Sequence, residues 1–66
     1  MLTKYRGHYS LTTVSEQGEV DKCSRSTEFE VDEFEHPGAR LRRIAYAAME
    51  KYNALGVSIG DFREVT

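Results

Sequence analysis

The 66-residue chain has a single cysteine, Cys23, so no disulfide can form within it. The usual staple of a very small domain is missing, and stability must come from packing, a metal or a partner subunit. A metal is poorly served as well. Cys23, His8 and His36 show neither a C-x2-C nor an H-x3-H spacing, and the strand pattern described below puts His8 and Cys23 on opposite faces. No D-x-D-x-D-G loop of the calcium-binding kind occurs. The glycines form neither a phosphate loop nor a nucleophile elbow. No apolar run approaches the roughly 18 residues a membrane span needs. The opening MLTKYRGHYS lacks a signal peptide's apolar stretch. A basic excess is absent too: nine Lys and Arg stand against eleven Asp and Glu, for a formal charge of −2, which argues against a general nucleic-acid coat. These absences lead to the expectation of one small soluble domain over residues 1–66, cytoplasmic, with no cofactor, no metal, no membrane and no catalytic activity.

What is present is patterned for a fold. Residues 4–14 alternate, with Tyr5, Tyr9 and Leu11 on one side and Lys4, Arg6, His8, Ser10 and Thr12 on the other, the period of a half-buried strand. SEQGE then supplies a polar, glycine-containing hairpin loop. Residues 20–31 alternate again, with Cys23, Thr27, Phe29 and Val31 on the inward side. Pairing Val14 with Val20 sets the register. It faces Leu11 with Cys23 and Tyr5 with Phe29 inside, and Arg6 with Glu28 and Lys4 with Glu30 outside. A slip of one residue spoils both faces. Two pairs fit poorly, Tyr9 with Arg25 and Thr13 with Asp21.

Pro37 suits the first position of a helix, and Leu41, Ile44, Ala45, Ala48, Met49, Tyr52 and Leu55 recur at steps of three and four. The spacing predicts a helix over about 37–54, stopped by Gly56 at its C′ position, whose alanine-rich stripe allows close approach to a sheet. The tail reads as a third strand over about 57–65, with Gly60 shifting the inward face by one residue. Connection rules then give an α+β fold of ββαβ type, with an antiparallel sheet in the order 2-1-3 and one helix on one face.

Candidate sites cluster at the strand–helix junction, EFEVDEFEHPGARLRR. Glu28 and Glu30 find partners across the hairpin. Asp32, Glu33 and Glu35 precede a helix N-terminus, where negative charge is favoured. Arg40, Arg42 and Arg43 follow. On a helical wheel Arg43 and Glu50 face water, Arg40 lies on the flank of Lys51, and Arg42 lies on the flank of Tyr46 and Asn53. Arg42, Arg43, Tyr46 and Asn53 then make an exposed group of residue types common at interface hot spots. The outward sheet face, with His8, Ser10, Thr12, Ser24 and Ser26, is a second open surface. The free edge of the second strand is able to accept another strand.

In size, in its lack of catalytic motifs and in its hairpin-plus-helix layout, the chain resembles small phage-encoded inhibitors of host defence, including anti-CRISPR proteins. The resemblance is one of architecture over the whole chain, so no family site residue is carried over. It implies stoichiometric binding to a host nuclease or surveillance complex in the host cytoplasm and a block of nucleic-acid access. Glu28, Glu30, Asp32, Glu33 and Glu35 would then act as phosphate mimics. Two other readings stand beside a protein-binding module. One is a small nucleic-acid-binding or regulatory protein that holds phosphates with its helix arginines while the sheet dimerises. The other is a structural subunit whose task is assembly.

Overall fold

The computed structural model describes residues 1–65. Strands β1 (Thr3–Val14) and β2 (Val20–Val31), helix α1 (Pro37–Lys51) and strand β3 (Gly56–Glu64) follow in that order. The strands form one antiparallel sheet, β2-β1-β3, with the helix against one face. This is the expected ββαβ layout of an α+β domain.

The hairpin adopts the predicted register throughout, from Val14 opposite Val20 to Thr3 opposite Val31. Gly18 turns the chain with φ 83°, and the Ser15 N–H donates to the Glu19 carbonyl at 2.8 Å. Against β3, the register slips by one between Gly7 and Tyr9. Val57 and Ile59 lie opposite the inward Leu11 and Tyr9 before the slip, and Phe62 lies opposite Gly7 after it. Gly60 permits this, because a Cβ there would stand 3.0 Å from the His8 carbonyl oxygen.

The core is small: Tyr9, Leu11, Phe29, Val31, Leu41 and Ala45 are buried, rimmed by Tyr5, Ile44, Ala48, Met49, Ala54 and Val57. Its tightest contact joins Leu41, wholly buried, to Gly7 in the central strand. A Cβ on Gly7 would lie 2.8 Å from both Leu41 methyl carbons. Missing side-chain bulk on β1, as well as alanine on α1, is therefore what lets helix and sheet approach. Tyr5 stacks on Phe29 with centroids 6.1 Å apart and meets the edge of Phe62 at 6.2 Å, and Phe62 meets His36 at 6.1 Å. One aromatic row thus ties all three strands to the helix entrance.

The helix differs from expectation at its end. It stops at Lys51, not at 54, and the residue that stops it is Asn53, at φ 52°. The Asn53 N–H donates to the Glu50 carbonyl and the Ala54 N–H to that of Met49, the paired bonds of a Schellman cap. Asparagine tolerates the left-handed region better than most residues, and it takes the role assigned to Gly56, which instead opens β3. Tyr52 and Leu55 consequently leave the buried stripe and are 46% and 71% exposed. Cys23, which alternation places on the inward side and so in the expected core, is instead exposed. It does sit opposite the buried Leu11, but nothing covers it from above.

The cause is length. Twelve strand residues extend about 40 Å, whereas the 15 residues of α1 rise only about 22 Å. The distal half of the hairpin runs out beyond the helix, and the molecule measures 48 × 18 × 12 Å. Arg25, the poor match for Tyr9, marks this boundary. Its guanidinium lies 4.7 Å over the Tyr52 ring at the helix end.

Candidate partner-binding surface

The acidic segment is split by its local geometry. Glu28 accepts from Arg6 Nε and Nη2 at 3.2 and 2.7 Å, with Lys4 Nζ at 3.6 Å. The hydrogen bond from Arg6 and the charges of Lys4 and Arg6 hold its carboxyl below the usual value. Lys4 lies opposite Glu30 in the ladder, yet its ammonium turns to Glu28. Glu35 turns toward the helix, where it accepts from Arg40 Nε at 2.7 Å and lies 3.8 Å from Arg43 Nη1. From the position just before the N-cap it pairs with arginines of the first two turns. No acidic residue occupies the first turn of α1, whose N-cap is His36, its Nδ1 accepting from the Gly38 N–H at 3.0 Å.

Asp32 performs a different task. Its Oδ1 accepts from the Phe34 N–H at 2.9 Å, and the Glu35 N–H reaches the Asp32 carbonyl at 3.3 Å. This is an Asx-type turn, and it fixes a short corner between β2 and α1. At its tip stands Phe34, 90% exposed, between Glu33 and Glu35. Among the described residues, Glu30, Asp32 and Glu33 have no ion-pair partner. The corner therefore presents one bare phenyl ring with uncompensated carboxylates beside it.

Of the five helix residues, Arg40, Arg42, Arg43 and Tyr46 lie within α1 and Asn53 lies past its end. Arg40 and Arg43 converge on Glu35. Arg42 borders an open depression of about 430 Å³ between the helix start and β3, with His36, Gly38, Ala39, Ile59 and Phe62. Tyr46 is half exposed, and Asn53 ends the helix through its backbone. On the outward sheet face, Arg6, His8, Asp61, Phe62 and Arg63 line a second depression of about 330 Å³. There Arg63 lies directly opposite Arg6, a like-charge pair that cross-strand packing does not favour.

Periodicity assigned Phe34 no part. The available signal was position: Phe34 belongs neither to the alternation of β2 nor to the stripe of α1, and carboxylates flank it on both sides. Among the described residues, no helix is long and apolar enough to cross a membrane, and no group of three or more potential metal ligands is gathered. No protein-family model, curated protein or solved structure matches the chain.

Proposed function

We propose that this chain is a non-enzymatic protein-binding module whose contact surface is the β2–α1 corner, with Phe34 as anchor and Glu30, Asp32 and Glu33 as its charged surround. The observation that carries this reading is the 90% exposure of Phe34 on a turn held by hydrogen bonds. A large aromatic left bare on an ordered turn costs solvation in the free protein and gains it back when a partner's pocket closes over it. The turn also lowers the entropy lost on binding, since the ring is already presented. Unpaired carboxylates around the ring suit a partner with a basic surface. A surface that normally holds nucleic-acid phosphates has that character, and this is the inhibitor mode implied by the resemblance to phage-encoded inhibitors of host defence.

The 2.7 Å bond of Arg40 to Glu35 weighs against the second reading, a nucleic-acid-binding protein, because it engages one of the three helix arginines within the chain. The test uses the purified chain as competitor for a nucleic-acid-binding host nuclease complex and labelled target nucleic acid, read by fluorescence anisotropy. The expected result is displacement of nucleic acid, lost in Phe34→Ala and in the triple reversal Glu30→Lys, Asp32→Lys, Glu33→Lys, and kept in Arg42→Ala. Direct binding of labelled nucleic acid that Arg42→Ala weakens would overturn the proposal in favour of the second reading.

A further inference from the structure

The two free edges of the sheet are unlike. That of β3 is broken by the register slip at Gly60 and Asp61, a device that spoils an edge for pairing. That of β2 runs from Val20 to Val31 in one continuous register with β1, with neither bulge nor proline. Its first half, Val20–Ser26, is exposed throughout because the helix does not reach it.

The direction of its backbone groups follows from the hairpin. Ser15 and Glu19 are hydrogen-bonded to each other, so by alternation Asp21, Cys23 and Arg25 point their N–H and C=O groups at β1. Val20, Lys22, Ser24 and Ser26 point theirs outward. The Leu55 N–H bonded to the Thr12 carbonyl on the far side of β1 obeys the same alternation.

We infer that this half of β2 pairs antiparallel with β2 of a second copy of the chain, Cys23 facing Cys23 across the twofold axis. Charge selects the register. Centred on Cys23, Asp21 lies opposite Arg25 of the second copy, and symmetry repeats the pair. Lys22 then faces Ser24, and Val20 faces Ser26. Centring on Lys22 or Arg25 sets two cations on each other. Centring on Ser24 leaves Asp21 opposite Thr27 and Val20 opposite Glu28. Stacked over Tyr52, Arg25 keeps the N–H edge of its guanidinium free for a carboxylate. The two helices lie on the same face at opposite ends of the joined sheet, so neither obstructs the pairing.

The size of the molecule agrees. Its accessible surface is 5044 Å², against about 4200 Å² for a compact monomer of this mass. The excess goes with the elongated shape, 48 × 18 × 12 Å, in which the distal hairpin leaves surface that a second copy is able to cover. Its radius of gyration is 13.3 Å, against about 10.8 Å for a compact domain of this length.

Sedimentation equilibrium of the full chain under reducing conditions tests the inference. The unmodified chain is expected at twice 7.5 kDa, dissociating on dilution. Asp21→Arg or Arg25→Asp alone is expected to raise the dissociation constant about tenfold, through loss of an attractive pair and gain of a like-charge one at two symmetric places. The double exchange is expected to restore it. Ser24→Pro removes an outward N–H without touching the β1–β2 ladder, and should yield a folded monomer. If that variant does not fold, the charge exchange decides alone. A short bismaleimide should join Cys23 to Cys23 in the unmodified chain and in the double exchange. A mass of 7.5 kDa at every concentration overturns the inference, as does a dimer unmoved by Asp21→Arg.

Discussion

β2 is two different strands in one. From Thr27 to Val31 it is part of a domain: Phe29 and Val31 are buried under the helix, and Phe29 stacks on Tyr5. From Val20 to Ser26 it has the same register and the same neighbour, β1, yet Val20 is 65% exposed and Cys23 has no cover. Pairing is common to both halves, and burial separates them. A backbone ladder therefore does not make a core. Its hydrogen bonds replace bonds to water at small net gain, whereas removing apolar area from water stabilises a fold far more. The covered half holds the fold together, which leaves the projecting half and the β2–α1 corner available for contact.

Cutting one apolar side chain from each half should give very unequal losses. Phe29→Ala is expected to cost about 3–5 kcal/mol, the usual range for emptying a buried phenylalanine site. In a domain this small that is comparable with the whole stability, which starts near about 5 kcal/mol. Val20→Thr keeps the branched shape in the exposed half and is expected to stay within about 0.5 kcal/mol. Urea unfolding followed by circular dichroism measures both, at a protein concentration low enough to isolate the single chain. Equal losses in the two halves would show that the distal hairpin is part of the core.

At the covered end, Gly7 sets the distance between helix and sheet. Gly7→Ala drives a methyl against Leu41, which is buried on every side, and such overpacking costs about 1–3 kcal/mol. Combining it with Leu41→Ala vacates the space the methyl needs. The double variant should therefore lose less than the two singles together, by about 0.5–3 kcal/mol in a double-mutant cycle. Strict additivity would mean that Gly7 does not set the distance between helix and sheet.

Alternation and charge made the hairpin legible, because a single register satisfied both faces and the structure adopts it. The helix start and the shift at Gly60 were readable because each rests on local chemistry, and the sheet order because connection rules leave few alternatives. The end of the helix was not. Both Asn53 and Gly56 are able to end a helix, and choosing between them needs the position of β3 and the turn that reaches it. Cys23 misled because alternation identifies a face but not what covers it. The mismatches of Tyr9 with Arg25 and of Thr13 with Asp21 were the written traces of the helix boundary, since a charged inward residue is tolerated only where cover ends. At the junction, composition showed two charged runs, whereas Glu35 binds them together by taking both Arg40 and Arg43. Spacing alone could not reveal that contact, which depends on a turn fixed by Asp32.

The smallest expected effect separates the two halves by charge. In the covered half, Glu28 bridges Arg6 and Lys4 on the solvent face. In the distal half, Glu16, Glu19 and Asp21 have no ion pair among the described residues. The hydrogen bond from Arg6, reinforced by the charges of Lys4 and Arg6, lowers the folded Glu28 carboxyl from its ordinary 4.5. The unfolded chain then binds that proton more readily than the folded one, so stability rises with pH across the interval between the two values. The contribution is fully present above the ordinary value and disappears as pH falls through the lowered one. Unfolding midpoints of the unmodified chain and of Glu28→Gln should therefore differ near neutral pH and converge in acid. Added salt should narrow the gap at neutral pH, because the pair is exposed to solvent and screened. A gap that stays constant from neutral to acid pH would mean that Glu28 acts through packing, and that charge does not distinguish the two halves of the strand.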